Sequence, residues 1–164
     1  MIVFVMGDPL RRFEHSHAAI SKLALDIGEL VRAAPAEGPL PTRSRRRLEE
    51  GLVKLRDELL RHFADEEEGL FPFIRDNVPS TSEVVEGLAG AHDAICGTVV
   101  RLVHLLEDEG ASPQSTCSSL RALFARFEAA YAEHSRKEAA LFEDLGRTLE
   151  KTHREELSEI LLGL

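Results

Sequence analysis

The 164-residue chain has no tryptophan, one tyrosine, two cysteines and two methionines, and aromatic residues make up only 5% of it. No stretch alternates apolar and polar residues over any length, which leaves little to build a sheet from. Two cysteines, Cys96 and Cys117, do not make a disulfide framework, so a reducing, cytoplasmic setting is the simpler expectation. No apolar run is long enough to cross a bilayer. The opening MIVFVMG is apolar but short and is followed by Asp8, so it reads as neither a signal peptide nor a membrane span. Positive charge is in deficit: 20 lysines and arginines face 29 acids, for a net charge of -9. That balance argues against nucleic acid or an anionic membrane as a partner. The one basic cluster, Arg43 with Arg45, Arg46 and Arg47, is soon followed by Glu49 and Glu50 and reads as the solvated start of a helix.

Helix signals dominate what is present. Asp8 stands as an N-cap before Pro9, and the first helix is expected from about Pro9 to Ala34. The Pro/Gly-rich AAPAEGPLP ends it, and a second helix is expected from about Thr42 to Arg75, with Gly69 and Pro72 weakening or kinking its last turns. Ser80 and Glu83 have capping-box spacing before a third helix over about Thr81 to Glu109. Ser112 and Pro113 open a fourth, to about Leu145, and Gly146 permits a bend into a tail helix over about 148–161. Four long helices joined by short loops predict an all-α fold: an up-down-up-down four-helix bundle over about 9–146 with a short C-terminal tail helix, within one domain spanning 1–164. MIVFVMG and the apolar tail positions Leu157, Ile160, Leu161 and Leu164 are expected to pack onto the bundle or to form a contact in a homodimer; the chain is otherwise a monomer.

Each helix can be followed along its apolar line in steps of three and four. The first gives Leu10, Phe13, His17, Ile20, Ala24, Ile27 and Val31. The second gives Leu48, Leu52, Leu55, Leu59, His62, Glu66, Leu70 and Phe73. The third gives Val85, Leu88, His92, Ile95, Val99, Leu102 and Leu106. The fourth gives Leu120, Phe124, Phe127, Tyr131, His134, Glu138, Leu141 and Leu145. Every line carries a histidine, and two carry a glutamate one turn later. At about 1.5 Å per residue, antiparallel packing brings all six to one layer near one end of the bundle.

Buried imidazoles and carboxylates are costly unless paired or metal-bound. A hydrogen-bonded polar network would account for one core histidine; a metal accounts better for six ionisable residues at one height. Imidazole suits iron, zinc, copper or nickel, and carboxylates can bridge two ions. In His-x-x-x-Glu both side chains share a helix face, so two such pairs and two single histidines suit two metals sharing two carboxylates.

The order H…HxxxE…H…HxxxE, here His17, HFADE (62–66), His92 in AHDAI and HSRKE (134–138), resembles the hemerythrin-like family of four-helix cation-binding domains. LFPF after the first pair and Tyr131 three residues before the last histidine are similar too, and the likeness covers about residues 9–160. The resemblance implies two non-haem iron ions, one held by His17 and His62, the other by His92 and His134, with Glu66 and Glu138 bridging. Zinc is the alternative metal. Oxygen-carrying members have a fifth histidine where this chain has Cys96, and commonly close the last motif with an aspartate at another spacing, where this chain has Glu138. The resemblance therefore implies an open position at the second iron, with room for O2, peroxide or nitric oxide to bind and react.

Around this set, Cys96 reads as small hydrophobic filler. Tyr131 reads as a packed ring with its hydroxyl at a polar atom, or as a hydrogen-bond donor to a metal-bound oxygen. His15, nearly opposite His17, is expected to face out, and His104 and His153 to lie at the surface or in a helix contact. Glu67 and Glu68 read as solvated, although Glu67 is placed to support a ligand. Phe13, Phe124 and Phe127 are expected to wall a dry cavity. Three functions compete: a di-iron protein that binds or turns over a small oxidant, an iron or oxygen storage or sensing module without turnover, and a metal-free adaptor or phosphotransfer bundle. The last requires exposed histidines. A ferritin-type site uses Glu-x-x-His, the reverse order at a different spacing.

Overall fold

Asp8 starts the first helix as its sequence implies: its carboxylate accepts from the Leu10 backbone N–H at 3.1 Å, and Pro9 fills the first position, where no donor is needed. The structure, a computed structural model, describes residues 7–108, 110 and 112–164. Among them the chain is all-helical. The helices are α1 (Pro9–Arg32), α2 (Thr42–Asp65), a π turn (Glu66–Leu70), α3 (Phe71–Asn77), a 3-10 turn (Pro79–Thr81), α4 (Ser82–Glu107), α5 (Pro113–Thr148) and α6 (Lys151–Leu162). The four long helices touch in a ring, α1 on α2, α2 on α4, α4 on α5 and α5 on α1. No helix among the described residues is long and apolar enough to cross a membrane. The MIVFVM segment and the expected end of the third helix at Glu109 lie outside the described residues.

Every aliphatic and aromatic residue on the four predicted lines is buried. The core is nonetheless not continuous. A larger cluster holds Ile20, Leu55, Ile95, Val99, Phe124 and Phe127 among others. A smaller one holds Leu10, Phe13, Leu70, Phe71, Leu88, Leu141 and Leu161. The histidine and glutamate layer lies between the two. Leu157 and Leu161 of α6 are buried in the smaller cluster, so the tail helix packs onto the bundle, while Leu162 and Leu164 remain exposed.

Three local expectations need correction. The second helix does not run unbroken to Arg75: it widens at Glu66–Leu70, where the Phe71 N–H bonds back to the Glu66 carbonyl, five residues away. Pro72 has no N–H to offer the Glu68 carbonyl, and the wider turn accommodates that missing bond. Gly69 lies in this turn because the tail helix presses on it; a Cβ there would sit 2.9 Å from Leu161 Cδ2 and 3.0 Å from Leu164 Cδ1. The Ser80–Glu83 capping box does not form. Thr81 precedes α4, its hydroxyl donates to the Val78 carbonyl at 2.8 Å, and no side chain caps the helix. Nor does α5 bend at Gly146. It runs to Thr148 and breaks at Leu149 and Glu150, because Leu149 turns into the smaller cluster and Arg154 donates to the Gly146 and Leu149 carbonyls left at the helix end.

Candidate metal centre

All six predicted residues converge. His62 and Glu66 are one turn apart where α2 passes into the π turn, and His62 Nε2 is 3.2 Å from Glu66 Oε1. His134 and Glu138 repeat the relationship on α5, with 3.4 Å between Nε2 and Oε2. His92 of α4 points Nε2 at Glu66 Oε2, 3.1 Å away. His17 of α1 meets Glu138 Oε2 through its own Nε2. His62 Nε2 also lies 3.8 Å from Glu138 Oε1. Each carboxylate thus faces histidines through both of its oxygens, Glu66 touching His62 and His92, and Glu138 touching His62, His17 and His134. One ligand atom each from His17, Glu66, His134 and Glu138 falls within a single 4.8 Å neighbourhood, and this His/Glu cluster can hold a metal ion. His62 and His92 flank that neighbourhood. The imidazoles pair as His17 with His62, centroids 4.6 Å apart, and His92 with His134, 5.0 Å apart.

The layer is dry. Side-chain exposure is 3% or less for His62, Glu66, His92, His134 and Glu138, whereas His17 keeps 15%. Few of the close approaches have hydrogen-bond geometry. Both nitrogens of His62 and His134, Nε2 of His92, both oxygens of Glu66 and Oε1 of Glu138 are buried with no hydrogen-bond partner among the described residues. Native interiors seldom leave such groups unsatisfied. Here the unpaired Nε2 atoms and carboxylate oxygens can all offer lone pairs and are gathered in one place, which is the donor set a transition-metal cation satisfies.

Electrostatics agree. Burial lowers the pKa of His62, against the pull of Glu138 and Asp65, so its imidazole is held neutral and able to ligate. Burial raises Glu66 well above the ordinary carboxylate range, opposed by the close approach of His92 and reinforced by Glu138. Burial would raise Glu138 as well, but the close approach of His134 and the hydrogen bond with His17 outweigh it and hold Glu138 below its ordinary value. Without a cation, the two facing carboxylates cannot both carry charge comfortably, and the proton goes to Glu66.

The walls differ from expectation. Phe13 does stand against His62, with centroids 6.1 Å apart. Phe124 and Phe127 do not reach the imidazoles; Phe127 stacks on Tyr131 instead. The rings beside His92 are Phe63, stacked on it at 3.7 Å, and Phe71, at 5.8 Å. Phe63 adjoins His62 in sequence and so falls off the apolar line, where stepping by three and four passes over it. The Tyr131 hydroxyl lies 3.2 Å from His17 Nδ1, at a polar atom as its packed reading requires, and burial raises its pKa to about 12. Cys96 packs against the larger cluster, as its reading as small hydrophobic filler expects, and burial pushes its thiol up to about 11.

Glu67 is not simply solvated. Its side chain is 49% exposed, yet its Oε1 accepts from His92 Nδ1 at 2.5 Å. His15 and His104 face solvent, and His153 packs edge-on against Phe73. A cleft of about 410 Å³ opens between α1 and α5, lined by Glu14, His17, Ser135, Glu138, Ala139, Phe142 and Glu143, and its floor is the His17 edge of the layer. Three of the four core-line histidines, His62, His92 and His134, are buried, so the exposure of these four on which the phosphotransfer reading depends is not met.

A search of curated proteins and a search of solved structures each found no match. The family model of the hemerythrin HHE cation binding domain matches residues 8–145, from the α1 N-cap almost to the end of α5 and across all six converging residues. The chain belongs to the hemerythrin HHE cation-binding family.

Proposed function

We propose that the chain is a single up-down-up-down bundle domain holding two iron ions, and that it binds or reacts with a small oxidant: O2, peroxide or nitric oxide. The observation that carries this reading is the buried layer of unpaired imidazole nitrogens and carboxylate oxygens. His17 and His62 serve one ion and His92 and His134 the other, following the two close ring pairs. Glu66 and Glu138 serve both, since each presents its two oxygens to histidines of both pairs. Bound iron supplies a redox couple and an open coordination position.

The chain's own residues do the rest. Two carboxylates offset much of the cations' charge inside a dry interior. Phe13, Phe63 and Phe71 keep water from the buried side. The Tyr131 hydroxyl fixes the outer edge of His17, the one candidate ligand that touches solvent. A small ligand arrives through the α1–α5 cleft, at the end of which His17 and Glu138 stand. The two cysteines are unpaired, which suits a reducing cytoplasm.

The test is metal content per chain in protein purified without added metal, beside the His62→Ala variant. Near two irons per chain, halved or lost in the variant, is the expected result. No metal in either protein after anaerobic ferrous loading overturns the reading. Peroxide consumption by the loaded protein then separates turnover from storage or sensing.

A further inference from the structure

Glu67 is the carboxylate that the bridging scheme leaves over. It follows Glu66 directly in the π turn, and the two glutamates meet the same imidazole from two sides. Glu66 Oε2 lies 3.1 Å from Nε2 of His92, and Glu67 Oε1 lies 2.5 Å from Nδ1. Nδ1 has its partner, while Nε2 has none. Since a carboxylate accepts, the hydrogen sits on Nδ1 and the lone pair of Nε2 faces the centre. Among the described residues no lysine or arginine pairs with Glu67. Its neighbour Glu68 is equally acidic and exposed but makes no such contact.

We propose that Glu67 is a positioning residue for the metal ion served by His92 and His134: by holding Nδ1–H it fixes the tautomer and the orientation of His92. The inference rests on the metal-centre reading above. Phe63 lies flat on the imidazole and Phe71 stands close by, so packing limits tilting of the ring. A half-turn about Cβ–Cγ would return the ring to the same plane with a carbon edge where the nitrogen edge stood, and a stack does not tell the two apart, so that choice is left to a hydrogen bond. Glu67 supplies it, and its negative charge makes Nε2 a better donor to a cation. The arrangement also gives the exposed half of Glu67 a reason to point inward: its carboxylate meets a ring that is 97% buried, from the solvent side of the helix.

The test is Zn2+ binding by the full chain in competition with a chromophoric chelator, which reads both sites without reference to activity. Glu67→Ala is expected to weaken one of the two sites by roughly 10–100-fold and to leave the other unchanged. Glu67→Gln, whose amide oxygen can still accept from Nδ1–H, should stay nearer to wild type. Glu68→Ala should match wild type and so controls for net charge. If wild type binds no metal, the metal-centre reading falls and this inference with it. If wild type binds two ions and Glu67→Ala binds them as tightly, this inference alone falls. Equal weakening of both sites in all three variants would show a general charge effect and also overturn it. A second measurement needs no variant: nitrogen NMR of the zinc-loaded protein should show His92 protonated at Nδ1, and a metal-bound Nδ1 would refute the proposal.

Discussion

Phe63 and His92 lie face to face, their ring centroids 3.7 Å apart and their planes within 8° of parallel, although one belongs to α2 and the other to α4. The contact joins two helices at the level of the candidate centre. It presses an aromatic face against a residue whose edge Glu67 grips, so His92 is fixed on a face and on an edge by neighbours of His62 and Glu66 in the sequence.

Phe63→Ala should destabilise the protein by about 3–5 kcal/mol, the usual range for deleting a buried phenylalanine. Phe63→Leu fills most of the space and should cost far less stability, but it cannot stack. The expectation is a denaturation midpoint near wild type for the leucine variant, with weaker metal binding. Unchanged metal affinity in a well-folded Phe63→Leu protein would show the stack to be packing alone.

Chelation should lower the melting temperature. A ligand at about 100 times its dissociation constant stabilises a protein by about 2.7 kcal/mol. For a domain of this size each kcal/mol is worth roughly 2–4 °C. Loss of one such ion should therefore shift the midpoint by roughly 5–11 °C, and calorimetry with and without EDTA checks it.

Glu66→Gln should abolish or halve metal binding and yet raise the stability of the metal-free protein at neutral pH. Glu66 is raised in the folded state, so the folded chain holds a proton that the unfolded chain gives up above about pH 4.5. Its contribution is intact below that pH and is lost as pH rises through the folded value. Metal-free wild type should accordingly weaken from acid toward neutral pH through this group, a slope that Glu66→Gln removes. Parallel pH–stability curves for the two proteins would contradict the assignment.

Ala139→Trp should narrow the α1–α5 cleft without replacing a candidate ligand, because Ala139 is exposed on its wall. Removal of bound metal by a chelator, and binding of nitric oxide to the ferrous protein, should both slow several-fold while metal content at equilibrium stays the same. Stopped-flow traces that superimpose on wild type would place the route elsewhere.

The six polar positions were legible because a helix with period 3.6 writes its buried face into the sequence, and His17, His62, Glu66, His92, His134 and Glu138 interrupt that face at matched heights. What periodicity could not show were residues whose roles depend on a neighbouring helix. Phe63 and Glu67 lie beside the apolar line and matter because α4 brings His92 between them. The π turn follows from Pro72 together with the docking of α6 on Gly69, a contact between segments some ninety residues apart. Gly146 suggested a helix break, but a glycine inside a helix costs only about 1 kcal/mol, and the burial of Leu149 moved the break three residues on.

A core split by a layer of ionisable groups is joined only as well as that layer is neutralised. On one side stand Leu10, Phe71, Leu141 and the tail helix; on the other stands the larger cluster. With a cation between them the two halves are expected to open together. Without one, the smaller half is expected to open first and to expose backbone that a protease cuts. Limited proteolysis should thus release the α6 end from the metal-free protein well before the rest. Were the layer filled by metal inside a cell, the lifetime of the chain would follow how much metal is within its reach.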